Sequence, residues 1–144
     1  MALGLLAVLT LGGCGDSALG PDPEDATFAA SLGIDLAQMT RLGSGVYIKT
    51  TTPGTGTATV TATSRVTTDY SGWLADGTLF DRGTISNRPI TDFVPGFSQG
   101  LVGMKVGEVR KIVIPSSLGY GDKGVGDIPG KSVLVFELKL VAIS

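Results

Sequence analysis

The sequence predicts an α+β fold, an antiparallel β-sheet curled over one short helix. Three observations predict it. Apolar residues recur at period two or in short β-branched runs at residues 45–50, 59–70, 109–114 and 133–143. Among these runs, one compact segment, FSQGL, opens after Pro95-Gly96 and is long enough for only about two helical turns. The 22 glycines and the many threonines supply tight turns and strand-forming residues.

A chain of 144 residues with 42% hydrophobic residues supports one domain with its own core. The net charge is −2 and the 11 basic residues are scattered, so the basic patch of a nucleic-acid-binding protein is not expected. There are no histidines and a single cysteine. Disulfides within the chain, Cys/His metal sites and histidine acid–base catalysis therefore fall away together. No metal and no cofactor is expected.

Residues 1–13, MALGLLAVLTLGG, form an apolar run too short to span a bilayer, which takes about 20 residues. The run suits a secretory signal segment, although no Lys or Arg precedes it. Leu11-Gly12-Gly13-Cys14 resembles the bacterial lipobox, in which the cysteine is lipidated and becomes the mature N-terminus. That resemblance implies a lipid on Cys14 and attachment to a bacterial membrane at the cell envelope, on its periplasmic or extracytoplasmic face. Residues 15–25 carry two prolines and four acids and read as a disordered tether. In residues 27–41, Phe28, Leu32, Leu36 and Met39 approach helical spacing, and Gly33 interrupts it. Short helical pieces that cover the domain, or a dimerisation arm, are the two readings. The chain thus divides into a leader (1–13), a tether with a short helical extension (14–43) and a domain (44–144).

Within the domain, residues 45–50 alternate as a first strand, ended by Pro53-Gly54. From residue 59 to 70, Val60, Ala62, Val66 and Tyr70 share one parity, which turns Tyr70 inward. Periodicity alone makes that stretch one strand, although twelve residues is long for one. Asp76-Gly77, flanked by Leu74 and Leu79-Phe80, is a hairpin signal. The polar residues 82–89 read as a loop. Gly103 to Gly107 is a glycine-bracketed turn, and Val109 to Ile114 is a strand ended by Pro115. In the last strand Leu134, Phe136, Leu138 and Leu140 face one way, and Glu137 and Lys139 the other.

The stretch FVPGFSQGLVGMKVGEVRKIVIPSSLGYG, residues 93–121, then IPGKSVLVFELKL, with DYSGWLADGTLFD upstream, resembles the FKBP-type peptidyl-prolyl isomerase domain. The likeness runs in order from about residue 54 to 143. It implies a strongly twisted antiparallel sheet around one helix, with a turn near Thr63. It also implies a concave apolar site for proline. Residue by residue, Tyr70, Phe80, Asp81, Phe97, Tyr120 and Phe136 stand where the family has its catalytic lining. Phe93, Val94 and Ile128 stand where it contacts substrate. Phe97 takes the floor position usually held by tryptophan. In the family the acid at Asp81 is often held by an arginine. The aligned position here is Ser86, leaving Arg82 or Arg88 as partners. Residues 90–94, ITDFV, are shorter than the family segment, and the loop 122–129 is slightly short and adds Asp127.

The resemblance implies catalysis of Xaa-Pro rotation in exported proteins, with proline-containing polypeptides as partners and rapamycin-like macrolides as pocket ligands. The alternative is a non-catalytic module, a chaperone or adaptor, that holds proline segments in the same pocket. The shortened 90–94 wall is the feature that favours it.

Overall fold

The computed structural model describes residues 22–144. The leader and Cys14 lie outside the described residues. Six strands form one antiparallel sheet: β1 (Thr40–Arg41), β2 (Tyr47–Thr52), β3 (Arg65–Leu74), β4 (Leu79–Pro89), β5 (Val109–Ile114) and β6 (Leu134–Ile143). Their order across the sheet is β1-β2-β5-β6-β3-β4. Among the described residues one α-helix, α1 (Pro95–Leu101), lies on one face.

The expected break falls at residues 61–64, where the Thr61 N–H donates to the Ser64 hydroxyl at 2.8 Å and the Ser64 N–H to the Thr61 carbonyl at 3.1 Å. Strand β3 starts directly after it. The hairpin to β4 turns on Gly77, whose φ is +93°, the left-handed region that glycine adopts without strain.

Residues 82–89 are a correction: they are strand, not loop. β4 is an edge strand bonded only to β3, so its side chains face mostly solvent and its polar sequence hides the pairing. A bulge distorts it, since Thr68 pairs with Ile85 but Val66 with Arg88. Asn87 absorbs the distortion at φ +47°, a conformation asparagine tolerates. Arg65 fixes it by donating to the Asn87 side-chain oxygen at 3.1 Å and its carbonyl at 2.7 Å.

The concave face holds the main core. Leu134, Leu138 and Leu140 on β6 and Ile112 and Ile114 on β5 are fully buried there with Leu101 and Met104. Helix α1 sits close on β5. A Cβ on Gly96 would lie 2.3 Å from the Ile114 Cγ2, so that face of the helix accepts no side chain.

Valines 113 and 135 point to the opposite face and are also fully buried. The N-terminal extension covers them. It runs through three 3₁₀ turns, Pro23–Asp25, Ala30–Leu32 and Leu36–Gln38, and packs Leu32, Phe28, Ile34 and Met39 on Tyr47, Val113, Val135 and Trp73. The core-covering reading of residues 27–41 therefore describes the contacts within the chain. The end of the tether is a second correction. Residues 23–25 are held on the domain, because Pro23 is buried and the Glu24 carboxylate accepts from the Tyr47 hydroxyl and, at 3.0 Å, from Arg41 Nε.

Candidate active site

A cavity of about 300 Å³ opens between the concave face of the sheet and α1. It is lined by Tyr70, Phe80, Asp81, Ile85, Asp92, Phe93, Val94, Phe97, Tyr120 and Phe136. Eight of the nine residues expected to line or contact a proline site thus converge from β3, β4, β6, α1 and two loops. Ile128 is the exception. It is 8% exposed and belongs to the core cluster that includes Phe97 and Phe136, but it is not among the lining residues. Its backbone bonds reciprocally with Val125, at 2.9 and 3.0 Å, and so closes a tight turn.

Local geometry explains how the rings meet. Phe136 pairs across the sheet with Gly72 on one side and Ile112 on the other. Gly72 leaves the space that the rings occupy: a Cβ there would stand 2.6 Å from Phe136 and 2.8 Å from Phe80. Beside it, Gly72 pairs with Asp81 but Trp73 with Leu79, which leaves Phe80 as the extra residue of a bulge. The bulge lets two consecutive side chains, Phe80 and Asp81, both reach the cavity. Phe97 projects from α1 to form the floor and is 5% exposed. Its ring lies 5.0 Å from Phe136, edge to face, and 4.9 Å from Phe93. Phe80 meets Phe136 at 5.5 Å and Tyr70 meets Phe97 at 6.3 Å, both edge to face. Such contacts fix ring orientation beyond what area burial alone does.

The polar groups are few. The Tyr70 hydroxyl donates to Asp81 Oδ2 at 2.8 Å. Burial, then that hydrogen bond and the carboxylate's charge, push the Tyr70 phenol up to about 12, so it stays protonated at neutral pH. The partner of Asp81 is this phenol and not an arginine, which corrects the expectation for Arg82 and Arg88. Along β4 the alternation turns Asp81 and Ile85 to the cavity and Arg82 to the opposite face. Arg88 instead lies 3.6 Å from Asp92. Tyr120 enters on the loop after the 3₁₀ turn Ser116–Leu118, which the Gly121 N–H closes onto the Ser116 carbonyl at 2.9 Å. The Val94 N–H, at the start of α1, has no acceptor among the described residues.

Two lining residues escape a reading of the sequence. Ile85 is the one aliphatic residue inside the polar run 82–89, a signal visible only once that run is taken as a strand. Asp92 has no signal of its own. It reaches the rim because the short 3₁₀ turn Ile90–Asp92 carries the chain directly from β4 to α1.

The arrangement is an aromatic recess with a few hydrogen-bonding groups at its mouth. It suits a small apolar ring attached to a peptide. Comparison with known proteins agrees. The family model described as FKBP-type peptidyl-prolyl cis-trans isomerase matches residues 56–141. Peptidyl-prolyl cis-trans isomerase FKBP9 of Homo sapiens is 45% identical over 78 residues, which are 50% of this chain and 14% of that one. The FKBP-type isomerase FkpA of Aeromonas hydrophila is 41% identical over 104 residues, 69% of this chain and 38% of its own. The chain thus spans well under two thirds of the length of both relatives. The crystal structure of a peptidyl-prolyl cis-trans isomerase from Pseudomonas syringae superposes with a TM-score of 0.69 at 33% identity, over 80% of this chain and 86% of that one. In sequence and in fold, the chain belongs to the FKBP-type peptidyl-prolyl cis-trans isomerase family.

Proposed function

We propose that this chain accelerates cis–trans rotation of Xaa-Pro bonds, with the aromatic cavity as its active site. The observation that carries the proposal is the convergence of Tyr70, Phe80, Phe97, Tyr120 and Phe136 on one recess. Resonance holds the Xaa-Pro amide planar behind a barrier of about 18–20 kcal/mol. Uncatalysed exchange takes tens to hundreds of seconds. At the twisted transition state the nitrogen leaves conjugation and the amide loses charge separation. An apolar recess favours that less polar form over the planar one, which is differential binding without acid, base or nucleophile. In this reading Phe97 and Phe136 form the seat for the proline ring. The Val94 N–H and the Tyr120 hydroxyl donate to substrate carbonyls and orient the peptide, and Phe93 supplies the adjoining wall. Asp81, held by Tyr70, lines the mouth of the recess. Ile128 acts one layer behind, as packing under the lining.

The test is the cis-to-trans exchange rate of an Ala-Leu-Pro-Phe peptide with the wild-type chain, Phe136→Ala and Tyr120→Phe. Acceleration that collapses in Phe136→Ala and falls modestly in Tyr120→Phe supports the proposal. A folded wild-type chain that leaves the rate unchanged sinks it. A rapamycin-like macrolide, taken into the same recess, should compete with the peptide.

The proposal extends to the cell envelope. Leader 1–13, lipidated Cys14 and the residues ahead of Pro23 form a membrane attachment from which the isomerase domain meets exported, proline-containing polypeptides as they fold. The support is the lipobox-like Leu11-Gly12-Gly13-Cys14 at the end of the apolar run, with the sole cysteine of the chain in it. Incorporation of a labelled fatty acid in the wild type, and its loss with release from the membrane fraction in Cys14→Ser, is the expected result. Equal fractionation of the two would refute the anchor.

A further inference from the structure

The cavity that seats the proline ring is apolar at its floor, yet both charged residues in its lining are acids, Asp81 and Asp92. No lysine or arginine lines it. Three features keep the rim negative. The Tyr70 hydroxyl engages Asp81 Oδ2 and leaves Oδ1 with no partner among the described residues. Arg82 is turned to the opposite face of β4, where its neighbour by alternation, Thr84, donates to Asp69 at 2.6 Å. Arg88 offsets Asp92 only weakly, across 3.6 Å between side chains that are 60% and 45% exposed. The whole chain carries only −2, so the bias of this mouth is not a reflection of a strongly acidic chain.

We propose that the acidic rim selects proline segments that carry a lysine or arginine next to the Xaa-Pro pair, and that Asp92 is a specificity-determining residue for them. The inference rests on the cavity being the proline site. The ring enters the aromatic floor, and its flanking residues lie over the rim within reach of the two carboxylates. A cation a few ångströms from a carboxylate in a partly hydrated mouth gains about a 3- to 10-fold preference. Added salt screens such an exposed contact. Placement of Asp92 by the short 3₁₀ turn Ile90–Asp92 links the preference to the compressed connection between β4 and α1.

The experiment uses the full chain and two sets of three peptides built on Leu-Pro-Phe, with Lys, Gln or Glu placed just before the Leu-Pro pair in one set and just after it in the other. Both kcat/KM for isomerisation and the equilibrium Kd are measured at low and high salt. The expected order is Lys, then Gln, then Glu, with a Lys-to-Glu ratio of about 5 at low salt that shrinks at high salt. The ratio should fall in Asp92→Asn and invert in Asp92→Lys. Because the readout is a ratio within each variant, a change in overall rate does not affect it. Equal values for the three peptides, with the Gln peptide still accelerated, overturn the rim and leave the isomerase reading standing. If no peptide is accelerated, the isomerase reading falls, and the Kd series decides the rim. Tighter binding of the Lys peptide supports it, and equal or absent binding overturns it.

Discussion

The Tyr70 hydroxyl and the Asp81 carboxylate meet at 2.8 Å across the mouth of a cavity whose floor is aromatic. They sit on adjacent strands, β3 and β4, where Tyr70 pairs with Gly83 and Gly72 with Asp81, so the unbroken register between them puts both side chains on one face. One contact therefore couples strand register to the polarity of the site.

Titration of the phenol should report that contact. Tyr70 ionises at about 12 in the folded chain, raised from 10.0 by burial and by Asp81. A folded pKa above the unfolded one means the protonated phenol stabilises the fold fully below pH about 10. That contribution is lost as the pH climbs toward 12. Absorbance titration near 295 nm should show a tyrosine lagging behind the ordinary range, with the lagging component missing in Tyr70→Phe. The variant should also lose less thermal stability than the wild type between pH 10 and 12. Isomerase activity should stay flat from pH 6 to 9, because no cavity group is required to change charge there.

Removal of the Phe136 ring should damage both fold and site. It is 4% exposed and touches Phe80 and Phe97 edge to face. Phe136→Ala should cost about 3–5 kcal/mol in urea unfolding and abolish measurable acceleration. Phe136→Leu keeps most of the volume and should be milder in stability while still losing most of the rate. Equal loss of rate and stability in both variants would mean that the ring matters only as packing.

Much of this arrangement is legible in the sequence wherever one face is buried and the other wet. Leu134, Phe136, Leu138 and Leu140 alternate with Glu137 and Lys139, and β6 follows that pattern closely. Legibility fails where solvent or a second layer breaks the pattern. Val135 is as buried as its neighbours because the N-terminal extension covers the far face, and nothing local to β6 announces that cover. The polar β4 hides its strand because it lies at the sheet edge, and with it hides Ile85. Asp92 depends on how a turn aims one side chain, and Ile128 on which side of the core a loop residue enters. Neither depth nor aim is encoded in period.

Gly72 should tolerate no side chain. Its Cβ would fall 2.6 Å from Phe136 and 2.8 Å from Phe80, so Gly72→Ala must drive the rings into the cavity or open β3 from β6. We expect a loss of about 1–3 kcal/mol with a rise in KM, since the recess shrinks before the sheet fails. A crystal structure of the variant with both rings unmoved would contradict this.

A buried ion pair holds the floor of the cavity in place. Glu108 and Arg110 are 5% and 7% exposed, and Glu108 Oε2 accepts from Arg110 Nη2 at 2.8 Å and from Nε at 2.9 Å. Thr50 adds a hydroxyl at 2.8 Å and the Lys105 N–H a bond at 3.0 Å. Arg110 Nη1 then donates to the carbonyls of Gly100 and Val102, both at 3.0 Å, and so fastens the C-terminal end of α1. Burial pushes the Glu108 carboxyl up, but these donors and the guanidinium together outweigh it and hold it below its usual 4.5. A lowered folded pKa means stabilisation that is present above pH about 4.5 and lost as the pH falls below it. Glu108→Gln should therefore cost about 3–5 kcal/mol at pH 7 by stranding the Arg110 charge, and its unfolding midpoint should depend less on pH between 5 and 3 than that of the wild type. The double variant Glu108→Leu/Arg110→Met removes both charges and should recover much of that loss. Its activity should nevertheless stay low, because the end of α1 is no longer fastened and Phe97 rides on that helix. Full recovery of activity in the double variant would show that α1 holds its place by packing against β5 alone.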